Sequence, residues 1–242
     1  MSLINSKTIA ILPTPENIRV MVIGCGAIGS KIVNEACRIG LQWFTLWDHD
    51  KVVLYNVGNQ AFYPQDVDKE KVMACKENVW KINPGAMVVT NARKFDGEID
   101  DHPLYVFVAV DSMKARKEIF ESLMDYVNLS GKHFVIIDTR MNLYEVSCYS
   151  CNTRSKDTLV AYEKSLYDDG KVKPEFTSVC GTVQGLGTIS SIASSMAIQK
   201  LIQHESSETI SYGESIINIK CDAEAVSFMK KFKNPKEIKH HD

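Results

Sequence analysis

The strongest constraint on this chain is a set of three glycines in the order Gly24-Cys25-Gly26-Ala27-Ile28-Gly29, placed between an apolar stretch and an amphipathic one. The residues leading into it, IRVMVIG at 18–24, are β-branched and apolar on both faces and stop at glycine, which predicts a buried strand. From Ala27 to Ile39 the positions Ile28, Ile32, Ala36 and Ile39 share one helical face, and Gly40 follows where helices commonly end. WFTLW at 43–47 predicts a second strand, so the glycines occupy the first turn of a strand–helix–strand unit of about 30 residues. In such a turn the first glycine permits the bend, the second lets a phosphate approach the backbone, and the third lets helix and strand pack closely. A phosphate would rest on the free N–H groups and positive dipole end of the helix. Gly24, Gly26, Ala27 and Gly29 are therefore candidates for nucleotide binding.

The same alternation continues. A helix over 68–82, strands over 86–92 and 104–110, a helix over 112–126 and a strand over 133–138 predict a Rossmann-like α/β fold: a doubly wound, mainly parallel sheet with helices on both faces. After 138 the pattern changes to an antiparallel C-terminal extension. Residues 143–151 alternate like an edge strand, 158–167 carry a short helix, and 215–220 read as a last strand. Between them, 181–203 form a long helix crowded with Gly, Ser and Ala, which would let a neighbouring backbone come close, within the core or across a self-association face. No repeat or linker divides the chain, so residues 1–242 are expected to form one domain, with 1–17 and 229–242 at its periphery.

Twenty-eight basic against 30 acidic side chains leave a net charge of −2, without the basic field that draws a chain to nucleic acid or anionic membrane. The seven cysteines, at 25, 37, 75, 148, 151, 180 and 221, are odd in number and scattered, which favours a reducing compartment. No apolar run has the length of a signal sequence or membrane span, and a cytoplasmic location is expected.

Three further places invite chemistry. Asp48 stands at the carboxyl end of the second strand, where an acidic side chain meets ribose hydroxyls of either NAD or an adenine nucleotide. Lys69 and Lys71 open the next helix, against its dipole, so they want an anion; they are either exposed helix charges or, for Lys71, a contact to a triphosphate. Asp111 and Ser112 follow the strand VFVAV, where a carboxylate can hold Mg²⁺ on phosphates and where either residue can equally cap the following helix.

In this order the residues resemble the ThiF/MoeB/HesA adenylyltransferases, the core fold of ubiquitin-activating enzymes. The matching positions are Gly24, Gly26 and Gly29, then Asp48 and Asp50, Asn56 and Gln60, Lys71, and Asp111 with Arg116. The likeness extends to Asp138-Thr139-Arg140-Met141, to the segment from Tyr162 through Ser165 to Tyr167, and to Cys180, and it looks most like the compact phage and plasmid branch. It implies Mg·ATP as cofactor and attack on the α-phosphate by the C-terminal glycine carboxylate of a ubiquitin-like or sulfur-carrier protein. It also implies a homodimer, with Mg²⁺ on Asp111 and the nucleotide on the remaining positions. Asn59 stands where the family often has arginine, so a cationic contact is missing unless Arg140 or Lys69 replaces it. At 242 residues the chain is expected to hold the adenylation core without the added domains of large activating enzymes.

Cys180 precedes the long helix, whose dipole can lower a thiol pKa, and is a candidate for thioester or persulfide chemistry; a buried structural role is the alternative. Cys148-x-x-Cys151 supplies only half of a four-ligand zinc site, and zinc is not expected. Two other functions fit part of the pattern. An NAD-dependent oxidoreductase would use the glycines and Asp48 but leave Lys71, Asn56, Gln60 and Asp111 without a task, and a nucleotide-binding scaffold of weak activity would explain Asn59.

Overall fold

A computed structural model describes residues 12, 14–99, 102–142, 145–166 and 187–206, and the backbone of 213–218. The strands are β1 (Arg19–Ile23), β2 (Trp43–Trp47), β3 (Met87–Asn91), β4 (Tyr105–Val108), β5 (Val135–Met141), β6 (Glu145–Asn152) and β7 (Gly213–Asn218). The helices are α1 (Gly29–Arg38), α2 (Lys71–Ile82), α3 (Met113–Ser130), α4 (Lys156–Lys164) and α5 (Gly187–Ser206). The sheet order is β3-β2-β1-β4-β5-β6-β7, parallel from β3 through β5 and antiparallel at β6 and β7. This is the doubly wound α/β arrangement with the antiparallel extension that the alternation predicts.

Strand parity divides the core in two. Val20, Val22, Phe44, Leu46, Phe107 and Ile137 face the side covered by α1, α2 and α5, while Met21, Ile23, Trp47, Val106, Val108 and Ile136 face α3 and α4. Leu12, from the segment expected at the periphery, is 1% exposed and belongs to the first cluster. Each fully buried Val, Leu or Ile contributes about 1.5–3 kcal/mol relative to exposure, which is why these short apolar runs form strands despite modest length.

The small residues of α5 serve packing within the chain. Ser190, Ala193, Ser194 and Ala197 are buried, and α5 lies against α1 and β5. Ser194 Oγ donates to Glu35 at 2.8 Å, and Lys31 Nζ donates to Ser190 Oγ at 2.7 Å and to the Gly187 carbonyl at 2.5 Å. Among the described residues no helix is long and apolar enough to cross a membrane.

Candidate nucleotide site

Strand order reverses between β1 and β4, and in open α/β sheets the crevice at the carboxyl ends of such a pair is where ligands bind. The glycine turn lies there. Gly24 has φ +93°, and a Cβ on it would stand 2.7 Å from the Ala109 carbonyl oxygen at the end of β4. A Cβ on Gly29 would come within 1.8 Å of the Gly24 carbonyl oxygen. Those two glycines are demanded by backbone packing. Gly26 is different: a Cβ there meets nothing within 4 Å. Gly26 and the adjacent Ala27 are both partly exposed, and their backbone N–H groups find no acceptor among the described residues. Two donors at the mouth of α1 are thus left without a backbone or side-chain acceptor among the described residues.

Asp48 ties this turn to β2. One carboxylate oxygen accepts from the Cys25 N–H at 2.7 Å, the other from the Asp50 N–H at 2.8 Å. Asp50 in turn holds Lys71, Nζ to Oδ2 at 2.7 Å, and its carbonyl accepts the Lys71 N–H at 2.9 Å. Lys71 reaches this position because residues 51–52 pair with 68–70: Val52 donates to the Lys69 carbonyl, and Asp68 donates back to that of Val52. The pairing also explains why α2 opens at Lys71 rather than at 68, since Asp68 adopts φ 72°, which a helix cannot contain. Burial opposes the charge on Lys71, but the hydrogen bond to Asp50 and the fields of Asp48 and Asp50 outweigh it and raise its pKa. Burial likewise pushes the Asp50 carboxyl up, but the hydrogen bond and charge of Lys71, with His49 and Lys94 nearby, outweigh this and lower it. The anion that Lys71 requires is here supplied by Asp50. Lys69 is paired elsewhere, with Asp66 at 3.2 Å and Glu77 at 2.6 Å.

The loop after β2 is wound around Asn56, which is 3% exposed. Its Oδ1 accepts from the Val53 N–H at 3.0 Å, and its carbonyl accepts from the Gln60 N–H at 2.8 Å. Gln60 Oε1 is buried and has no partner among the described residues. With Gly58, Asn59, Lys31 and Ser191 it lines a cleft of about 600 Å³ beside the first turn of α1. Lys31 is a cation of this site that the motif reading overlooks, although a lysine two residues past the last glycine stands in the sequence. Burial lowers its pKa, only partly offset by Glu35.

On the other side of the crevice, Asp111 is exposed and forms no hydrogen bond or ion pair among the described residues. A free carboxylate at a strand's carboxyl end is a hard oxygen donor suited to Mg²⁺. Asp48, His49 and Asp50 also bring donor atoms within 4.8 Å of one another, but the carboxylates of Asp48 and Asp50 are already engaged by N–H groups and Lys71. Asp111 is thus the residue that fits the ion. Ser112 is the N-cap of α3, its hydroxyl accepting from the Ala115 N–H at 3.2 Å. Arg116 does not face the crevice; it is buried against Asp138. Arg140 also binds Asp138 and Ser165, so neither it nor Lys69 stands in for an arginine at position 59.

Cys148 and Cys151 belong to opposite faces of β6, one in each core cluster, and cannot serve one ion. Burial pushes their thiols up to about 12 and about 11. Cys180 and Cys221 lie outside the described residues.

The sequence profile of the ThiF family matches residues 14–237. Over 205 residues the chain is 26% identical to ubiquitin-like modifier-activating enzyme 5 of Dictyostelium discoideum, covering 74% of this chain and 54% of that protein. The enzyme of the same name from Aedes aegypti is 33% identical over 194 residues, covering 69% and 48%. The chain spans about half the length of these curated relatives. The crystal structure of E. coli MccB with ATP shares the fold, with a TM-score of 0.59 at 14% identity, over 87% of this chain and 66% of that one. The glycine turn at the β1–β4 switch point and the ordered set from Asp48 to Asp111 lie inside the matched region, and the chain belongs to the ThiF family.

Proposed function

We propose that the chain is an ATP-dependent adenylyltransferase that activates the C-terminal glycine carboxylate of a ubiquitin-like or sulfur-carrier protein. The observation that carries this reading is Gly26. Packing does not require glycine there, while a polyphosphate lying against the free N–H groups of residues 26 and 27 does. Family membership, two relatives named as activating enzymes for ubiquitin-like modifiers, and a fold relative solved with ATP support it and disfavour an NAD-dependent oxidoreductase.

In the proposed reaction a carboxylate oxygen attacks the α-phosphorus, the bond from that phosphorus to the bridging oxygen of the β-phosphate breaks, and pyrophosphate leaves with the electron pair. The product is an acyl-adenylate. Such in-line transfer asks the protein for positioning and charge neutralisation rather than a side-chain nucleophile. The N–H groups of 26 and 27 receive phosphate, Asp48 and Asp50 meet the ribose, and Lys71 exchanges its Asp50 contact for a phosphate oxygen. Asn56 and Gln60 shape the far wall, with Ser112 at the edge. Mg²⁺, when bound at Asp111, neutralises phosphate charge.

Residues 1–242 act as one adenylation domain, as a homodimer in the cytoplasm, where the five buried free thiols at 25, 37, 75, 148 and 151 would stay reduced. Burial raises the thiol pKa of Cys37, Cys148 and Cys151, which makes them poor nucleophiles. Cys180, which the family resemblance points to, is the candidate for a later thioester or persulfide. ATP–pyrophosphate exchange with a ubiquitin-like protein ending in glycine tests the reading. Exchange that depends on that protein is expected and should survive Cys180→Ser; absence of exchange together with tight NAD binding would overturn it.

A further inference from the structure

Behind Asp111, at the carboxyl ends of β4 and β5, lies a buried charge cluster. Arg116, in the first turns of α3, is 5% exposed. Its guanidinium donates to the Asp138 carboxylate and to the Val110 carbonyl, with a longer contact to the Thr139 carbonyl at 3.4 Å. Asp138 is fully buried and is shared: Arg140 Nε donates to it at 2.8 Å and the Tyr162 hydroxyl at 3.1 Å. Arg140 continues to Ser165, through the carbonyl at 2.8 Å and the hydroxyl at 3.0 Å, and its guanidinium lies 4.2 Å over the Tyr149 ring. Two guanidiniums therefore converge on one carboxylate in the interior.

As a means of holding β4, β5, α3 and α4 together, this cluster is poor, because desolvating several charges costs more than apolar side chains of similar volume would. What apolar side chains cannot do is fix one peptide in one orientation. The Val110 carbonyl belongs to the peptide that carries Asp111, and Arg116 is the side chain that grips it. Asp138 sets the plane of Arg116, and Arg140 and Tyr162 set Asp138.

We propose that Arg116 is a positioning residue for Asp111, oriented in turn by an Asp138 that Tyr162 of α4 and Arg140 of β5 hold in place. The proposal rests on the adenylation reading for the task of Asp111 and extends it. The direction of the metal-binding carboxylate depends on α4, an element outside the crevice.

The test uses the full chain and reads ATP affinity by calorimetry with and without Mg²⁺, beside exchange rates and thermal unfolding. In Arg116→Lys, a single ammonium cannot hold Asp138 and the Val110 carbonyl in one plane. The gain in ATP affinity on adding Mg²⁺ is expected to fall about tenfold, while metal-free affinity stays within about twofold. Tyr162→Phe keeps the ring against Phe120 and should show a smaller loss in the same direction. Leu123→Ala, which opens a cavity under α3 and removes no hydrogen bond of the charge cluster, should keep the gain. An equal loss in Leu123→Ala, or an unchanged gain in both Arg116→Lys and Tyr162→Phe while Asp111→Ala loses it, overturns the positioning role alone. A gain that survives Asp111→Ala overturns the metal role of Asp111 and this proposal with it.

Discussion

A single methyl group separates the roles of the two partly similar glycines at 26 and 29. Gly29→Ala drives a Cβ into the Gly24 carbonyl oxygen, a backbone clash with nowhere to relax, and should yield no folded protein on circular dichroism. Gly26→Ala meets open space, so its unfolding midpoint should match the parent, while ATP affinity falls about tenfold or more as the methyl group occupies the phosphate's place. Loss of fold in the second variant, or unchanged affinity, would remove the ligand explanation of Gly26. His204 carries a second prediction at this scale. Burial, with Lys200 nearby, lowers its pKa to about 4 from an ordinary value near 6.5. Between these values the unfolded chain binds a proton that the folded one does not, so stability falls as pH drops from about 6.5 to about 4. Allowing for partial exposure, the loss is about 2 kcal/mol. His204→Gln should flatten this limb of a urea-unfolding series against pH.

At the scale of elements, the junction of β4 and α3 puts two neighbouring side chains to different work. Ser112→Ala removes the N-cap of α3 and should cost about 1 kcal/mol of stability. Asp111→Ala, whose carboxylate has no partner among the described residues, should leave stability as it was and abolish Mg·ATP turnover. Denaturant midpoints and exchange assays on the two variants separate the roles. Which elements the sequence revealed follows from where their causes lie. WFTLW is read as 43–47 and is β2 over those residues, because its apolar, β-branched and aromatic content is local. α2 is misread by three residues at its start, because Asp68 is turned by a pairing with residues beyond the helix. β5 runs to Met141 rather than 138, since antiparallel pairing with β6 extends it. In the site, the glycines, Asp48 and Asp111 are legible from spacing. The Lys71–Asp50 pair, the grip of Lys31 on α5 and the sharing of Asp138 with Arg116 and Tyr162 are not, because each joins segments far apart in the chain that only the folded arrangement brings together.

For the whole molecule, the sheet order has a consequence in time. β5 and β6 are neighbours in sequence and pair antiparallel, so their contact closes a short loop and is expected early in folding. β1 and β4 pair parallel across the whole first half-domain, with α1, β2, α2 and β3 intervening, and that contact carries the greatest loop-closure cost in the sheet. The seam between them is also the seam where Gly24 rests on the Ala109 carbonyl. If that seam closes after the folding barrier, ATP has nothing to bind in the transition state. Saturating ATP should then slow unfolding while leaving the refolding rate within about twofold, as stopped-flow measurements can establish. A refolding rate that rises with ATP would place the seam before the barrier. A nucleotide acting in this way lengthens the lifetime of the finished protein without helping to make it, so each binding event also protects the chain from the opening that proteases exploit.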